Sequence, residues 1–257
     1  MGMIDFKNYL AFRLKEGKLY PVKHPHIPPI DLLLNVERQK EVLLRNTLQF
    51  VKGYPANDVL LWGDRGTGKS SLVKSLLGVF GENGLRIIQV YKMDIIHLSD
   101  LYETVRDQPY WFILFFDDLS FEPGEESFKT LKSFMEGDIE ERPRNILVYA
   151  TSNRRNLVPQ LERDEKFPEE SQLEVISLVE RFGIKLGFFA FGKEEYLKIV
   201  KTYAKERKLD VEEPFLEKLA LEWATYRGSF SGRTAFQFIK DLEGRLRCGT
   251  SLSFYSS

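Results

Sequence analysis

The sequence has a single cysteine, Cys248, which excludes an intramolecular disulfide and any zinc site built on several thiolates. It has no long apolar run either. Stretches such as Phe112–Phe116 hold about five residues, against the roughly 20 needed to span a bilayer. The opening, Met1-Gly2-Met3-Ile4-Asp5-Phe6-Lys7, lacks a basic segment followed by an apolar one, so no secretory signal is read there. The expectation is a soluble cytoplasmic protein with no membrane partner. Nor is one sign of charge in excess. Lys+Arg number 37 against 38 Asp+Glu, a net charge of −1, which argues against nucleic acid or an anionic membrane held by bulk charge. What the chain does have is apolar bulk. Of its 257 residues 43% are hydrophobic, with 20 Phe and 11 Tyr, enough core for one large or two small domains.

Pro21, Pro25, Pro28 and Pro29 crowd the end of the first 29 residues. Proline fixes φ and donates no hydrogen bond, so residues 1–29 are expected to form an extended arm outside the core. His24 and His26 have no evident partner there and read as solvated. From Asp31 the pattern changes. Val36, Leu43, Leu44, Thr47, Leu48 and Val51 recur at helical spacing until Gly53 and Pro55 end the helix. Short branched and aromatic runs (Val59–Trp62, Leu85–Tyr91, Trp111–Phe116, Ile146–Ala150) then alternate with amphipathic stretches (Lys69–Phe80, Ser99–Arg106, Ser127–Glu136). Such alternation predicts right-handed βαβ crossovers and a mainly parallel sheet in a three-layer α/β/α domain over 30–191. Residues 156–180 are acidic and broken by Pro159 and Pro168, leading into a helix around Gln172–Arg181. Ile184–Phe191 reads as a last strand. Three helical stretches, Glu194–Lys208, Glu213–Tyr226 and Arg233–Arg247, predict a small helical lid over 192–250.

Gly63-Asp64-Arg65-Gly66-Thr67-Gly68-Lys69-Ser70 matches G-x-x-x-x-G-K-[ST], the phosphate-binding P-loop. The glycines let the loop turn back, so that successive main-chain N–H groups form an anion nest at a helix N-terminus. Lys69 then reaches the β- and γ-phosphates, and the Ser70 hydroxyl ligates Mg²⁺. Val59-Leu60-Leu61-Trp62 supplies the strand that must precede the loop, and Ser71–Phe80 the helix that must follow. ATP and Mg²⁺ are therefore expected, held by Gly63 through Ser71.

P-loop chemistry needs a further carboxylate for the metal and a group that orients or deprotonates water. Phe112-Ile113-Leu114-Phe115-Phe116-Asp117-Asp118 ends a buried run with two acids, which belong at the carboxyl edge of the sheet. Asp117 is assigned to Mg²⁺ and Asp118 to catalysis. The strand Ile146–Ala150 runs into Thr151-Ser152-Asn153, where Thr151 or Asn153 could reach the γ-phosphate or the attacking water.

This order of P-loop, apolar strand with paired acids, and strand ending in Thr-Ser-Asn resembles the AAA+ ATPase superfamily. Leu178-Val179-Glu180-Arg181-Phe182-Gly183 is similar to its arginine-finger segment, and the Gly-x-x-Leu that follows resembles bacterial replication initiators. Phe230-Ser231-Gly232-Arg233 is similar to the sensor 2 motif. The fuller wording, through Asp117-Asp118-Leu119-Ser120-Phe121 and Ala150-Thr151-Ser152-Asn153-Arg154-Arg155, looks closest to an uncharacterised bacterial AAA+ family.

The resemblance implies roles for these residues. Asn153 would be sensor 1. Arg233 would be sensor 2, on the γ-phosphate of its own subunit. Arg181, with Arg154 or Arg155 as rivals, would reach a neighbouring subunit's nucleotide, so the active form would be a homo-oligomer. Adenine would contact backbone near Leu34–Val36. The family's second acid is glutamate, whereas Asp118 is one methylene shorter, a loss of reach of about 1.5 Å. A misplacement of about 1 Å can cost about 100-fold in rate, so slow turnover is expected.

Three functions compete. The first is an oligomeric ATPase acting on a macromolecular partner. The second is an ATP-dependent switch or loader, and the third, less favoured because no acceptor site is legible, a small-molecule kinase. Nucleic acid rests on little beyond Lys198, Lys201, Lys205 and Lys208 along one helix, which read first as a solvated face. Tyr102, Tyr110 and Trp111 are pore-loop candidates by position only, with core packing the default for Trp111.

Overall fold

The computed structural model describes residues 4–121, 125–136, 142–153 and 177–250. The chain falls into two compact units. One comprises residues 1–28, 38–63 and 70–187, the other 29–37, 64–69 and 188–257.

The first unit is built on a seven-stranded sheet in the order β2-β1-β4-β5-β6-β3-β7. Its strands are β1 (Ala11–Lys15), β2 (Lys18–Pro21), β3 (Val59–Gly63), β4 (Leu85–Gln89), β5 (Trp111–Phe116), β6 (Ile146–Ser152) and β7 (Ile184–Phe188). The pairs β1/β4, β4/β5, β5/β6 and β6/β3 are parallel, and β1/β2 is an antiparallel hairpin. The helices are α1 (Glu37–Val51), α2 (Lys69–Phe80), α3 (Leu98–Val105) and α4 (Glu126–Glu136). The α/β expectation and its mainly parallel sheet are thus observed.

Alternation along the strands distributes the core. Phe112, Leu114 and Phe116 of β5 join Leu98, Leu101 and Val105 of α3 and Phe128 and Leu131 of α4 in one cluster. Successive side chains of a strand point to opposite faces, so Ile113 and Phe115, equally buried, serve the other side. There Tyr149 of β6 turns its hydroxyl to α1, within 2.9 Å of Thr47 Oγ1 and accepting from Asn46 Nδ2 at 3.0 Å. Burial pushes the Tyr149 phenol up to about 12, although its hydrogen bonds with Thr47 and Asn46 oppose the shift.

The first 29 residues correct the expected arm. Ala11–Lys15 and Lys18–Pro21 are strands, and Phe6, Phe12 and Leu14 are buried. Phe12 and Leu14 alternate with Arg13 and Lys15, so one face of β1 enters the core while the other stays polar. Burying two such side chains stabilises by about 1.5–3 kcal/mol each, which outweighs the local influence of the prolines. These follow only from Pro21 onward.

The second unit contains α5 (Lys193–Glu206), α6 (Glu213–Arg227) and α7 (Gly232–Cys248). Tyr196, Val200, Leu219, Ala220, Phe238, Ile239 and Leu242 of these helices are buried. Residues 29–37 belong with them, where Asn35 Nδ2 donates to the Glu195 carbonyl at 3.1 Å. Among the described residues no helix is long and apolar enough to cross a membrane.

Candidate functional site

Within the first unit, β5 and β6 lie side by side and parallel, with Phe116 opposite Ala150. The residues just beyond this register therefore emerge together at the carboxyl edge. Four of them, with Ser70 from the first turn of α2, form one hydrogen-bonded group. Ser70 Oγ donates to Asp117 Oδ1 at 2.5 Å, and Thr151 Oγ1 donates to the same oxygen at 2.8 Å. Thr151 Oγ1 in turn accepts from the Asp118 main-chain N at 2.9 Å, and the Thr151 carbonyl accepts from Leu119 N at 2.7 Å. Asn153 Nδ2 donates to Asp118 Oδ1 at 2.6 Å. Lys74 stands one helical turn beyond Ser70, with its ammonium 3.6 Å from Asp117 Oδ2.

The two acids are thus held differently. Asp117 is gripped by two hydroxyls and faced by a cation. Asp118 occupies a left-handed backbone conformation, φ 60°, a region that aspartate tolerates better than longer or branched residues. Its N–H is anchored on Thr151, and its carboxylate is aimed by Asn153.

In the second unit, residues 64–69 form the turn of the loop. Asp64 is its hub: its carbonyl accepts from Lys69 Nζ at 2.6 Å and from Thr67 Oγ1 at 2.8 Å. Its main-chain N donates to the Phe188 carbonyl at 2.8 Å, and its Oδ2 accepts from Ala190 N at 2.7 Å. Gly66 has φ 76°, and a Cβ there would lie 2.9 Å from Ser231 Oγ and 3.2 Å from Arg233 Cβ. Only glycine fits that turn. Ser231 caps α7, accepting from Thr234 N at 3.1 Å, and Arg233 N donates to the Gly66 carbonyl at 3.3 Å. The sensor-like segment therefore meets the P-loop through its backbone, and the Arg233 side chain is exposed.

Arg181 Nη2 donates to Glu136 Oε1 at 3.0 Å, and the side chain is 45% exposed. Its rivals Arg154 and Arg155 lie outside the described residues. Lys201 is held by both Glu213 and Glu217 at 2.6 Å, so the lysine row on α5 is partly neutralised within its own unit. Trp111 packs on Phe50, with ring centroids 5.1 Å apart.

The sequence named Thr151 and Asp64 but not the work they do here, and Lys74 was passed over. Thr151 is 2% exposed and committed to orienting both acids, a role that only strand register reveals. Lys74 carries a usable signal, since position i+4 from Ser70 places it on the same helix face. The ties from Asp64 to residues 188 and 190 join positions far apart in sequence, beyond any local pattern.

The family model described as "Protein of unknown function (DUF815)" matches residues 7–246. The chain belongs to the DUF815 family. No match is found among curated proteins. Among solved structures, this DUF815 chain is similar to the Thermotoga maritima RuvB Holliday junction branch migration motor. The identity is 19% and the TM-score 0.60, over 86% of this chain and 66% of that one. A point mutant of the same RuvB gives 20% identity and TM-score 0.60, over 87% and 68%. The Aeropyrum pernix ORC2 protein, in ADPNP–ADP complexes, gives 17% identity and TM-score 0.55, over 85% and 71%. The chain thus spans just under two thirds of the RuvB motor structure. The likeness shows the fold: the DUF815 chain has the P-loop NTPase fold of these structures, as its strand and helix pattern indicated.

The donor chemistry at the sheet edge suits magnesium. Ser70 Oγ and Asp117 Oδ1 are adjacent oxygen donors. Mg²⁺ is commonly bound through one or two carboxylates together with substrate phosphates. Among the described residues no group of three or more His, Cys, Asp or Glu side chains converges.

Proposed function

We propose that the protein binds ATP with Mg²⁺ and hydrolyses it slowly to ADP and phosphate, as an assembled ring or filament that remodels or loads a macromolecular partner. The observation that carries this reading is the linked set Ser70–Asp117–Thr151–Asp118–Asn153 at the carboxyl ends of β5 and β6. In it one acid is fixed beside the P-loop hydroxyl and the other is aimed separately.

Main-chain amides of residues 63–71, including those of Arg65, Gly68 and Ser71, cradle the phosphates, and Lys69 contacts the β- and γ-phosphates. Ser70 and Asp117 hold Mg²⁺, which when bound neutralises charge on the phosphate oxygens. Asp118 accepts a proton from the attacking water, with Asn153 fixing its carboxylate. Arg233 contacts the γ-phosphate of its own subunit. Arg181 exchanges its resting ion pair with Glu136 for the nucleotide of a neighbouring subunit. An arginine supplied in this way is worth about 10³–10⁵ in rate, so turnover depends on assembly. The short reach of Asp118 favours a nucleotide switch or loader as the second reading.

The test is mass determination in solution with and without ATP·Mg²⁺, run beside Lys69→Ala and Arg181→Ala. The expected outcome is ATP-promoted assembly in the wild type, lost nucleotide binding in the lysine variant, and retained binding with little turnover in the arginine variant. Normal hydrolysis by Arg181→Ala would overturn the intersubunit role.

A further inference from the structure

We infer that Asp64 is a positioning residue that couples the phosphate-binding loop to the segment leading into α5, so that occupation of the loop is transmitted to the three-helix unit. The inference rests on the P-loop reading above, but it assigns a function to a side chain that the motif leaves unspecified. In G-x-x-x-x-G-K-[ST] the second position is free; here it carries an acid. A carboxylate beside a nest meant for phosphate raises local negative charge, so its presence calls for a compensating use.

The geometry supplies one. Asp64 is joined in two directions at once. Inward, its carbonyl accepts from Lys69 Nζ at 2.6 Å and from Thr67 Oγ1 at 2.8 Å. Outward, its N–H donates to the Phe188 carbonyl at 2.8 Å and its Oδ2 accepts from Ala190 N at 2.7 Å. All of these residues belong to the second unit. Two residues past Ala190, Gly192 N–H donates to Glu195 Oε2 at 2.7 Å and opens α5. A shift of the lysine or of the loop carbonyl therefore moves the same residue that pins the start of that helix. Three of the four bonds use main-chain atoms of Asp64, its carbonyl toward Lys69 Nζ and Thr67 Oγ1 and its N–H toward the Phe188 carbonyl, and survive substitution. The Oδ2–Ala190 link is the part the side chain controls, and as a hydrogen bond to an ionised acceptor it is the stronger kind.

The experiment is amide hydrogen exchange at residues 188–193, without nucleotide and at saturating ADP·Mg²⁺, in wild type, Asp64→Asn and Asp64→Ala. Binding of a fluorescent ADP is followed in the same samples. Reading the change at saturation removes any effect of altered affinity. Without nucleotide, Ala190 in Asp64→Ala should exchange about tenfold faster or more. The nucleotide-dependent change across 188–193, present in wild type, should vanish in Asp64→Ala. It should persist in Asp64→Asn, whose side-chain carbonyl can still accept from Ala190. If Asp64→Ala does not fold, Asp64→Glu takes its place, because the added methylene moves the acceptor away while keeping the charge. ADP binding with an undiminished change in Asp64→Ala or Asp64→Glu overturns the coupling role alone. Absence of ADP binding by the wild type overturns the P-loop reading and the coupling with it.

Discussion

Replacing Thr151 with valine removes one hydroxyl and almost nothing of the side chain's shape. Thr151 is 2% exposed, so water cannot easily replace what is lost. The hydroxyl gives one bond to the Asp117 carboxylate at 2.8 Å and receives one from the Asp118 N–H at 2.9 Å. A bond to a charged acceptor is worth about 1.5–3 kcal/mol and a neutral one about 0.5–1.5 kcal/mol. Asp117 keeps Ser70 and Lys74 as partners, which places the net cost near the lower end, about 2 kcal/mol. For a chain of this size each kcal/mol lowers Tm by about 2–4 °C, so a fall of about 4–8 °C is expected. The effect on chemistry should exceed that on stability. Outer partners of metal-binding groups typically matter by about 10–100-fold, and here one hydroxyl orients both acids. The Mg²⁺ concentration giving half-maximal ATP turnover should rise, and the rate at saturating Mg²⁺ should fall. Calorimetry with a Mg²⁺ titration of phosphate release measures both, and Thr151→Ser should restore both. A valine variant that melts within a degree of wild type and shows an unchanged Mg²⁺ dependence would refute the reasoning.

Asp118→Asn should lower the single-turnover rate by about 100-fold or more, the scale of a lost general base, with nucleotide affinity largely kept. A wild-type rate typical of rapid motors would count against the slow-switch reading. Stability should fall on the alkaline side. With the Tyr149 phenol at about 12 in the fold and about 10 in the unfolded chain, the folded state keeps its proton while the unfolded state releases it. The contribution is therefore complete below pH about 10 and lost as pH rises toward 12. Urea unfolding of wild type and Tyr149→Phe across that window should give a shallower slope for phenylalanine; equal slopes would dismiss Tyr149 as a source.

Much of this architecture could be read from residue pattern because the pattern is strong there. Trp111–Phe116 is an uninterrupted apolar run and is observed as a strand with the same bounds. The spacing within Lys69–Phe80 likewise marks the observed helix. The hairpin at residues 11–21 escaped for a physical reason: its strands are only 5 and 4 residues long. The prolines beside it carry a louder local signal, and its partner β4 lies more than sixty positions away. At the site, loop motif and acids were legible because they sit at element ends with fixed spacing. The work of Thr151 and Asp64 was not, since each acts through pairing between distant segments. The arginines assigned from family resemblance, Arg181 and Arg233, are the residues for which local chemistry says least, because their proposed contacts lie on a nucleotide and not within their own element.

The N-terminal hairpin has a practical consequence. It occupies the margin of β4 that would otherwise carry a row of unused main-chain donors and acceptors beside the buried Ile87 and Ile88. Strand β2, which takes the outer place, is short, bears Lys18 and stops at Pro21, features that discourage further strand addition. A version of the protein trimmed back to the first helix would uncover a sticky border and invite copies to stack edge to edge. Assembly seen with such a trimmed chain would then say nothing about nucleotide.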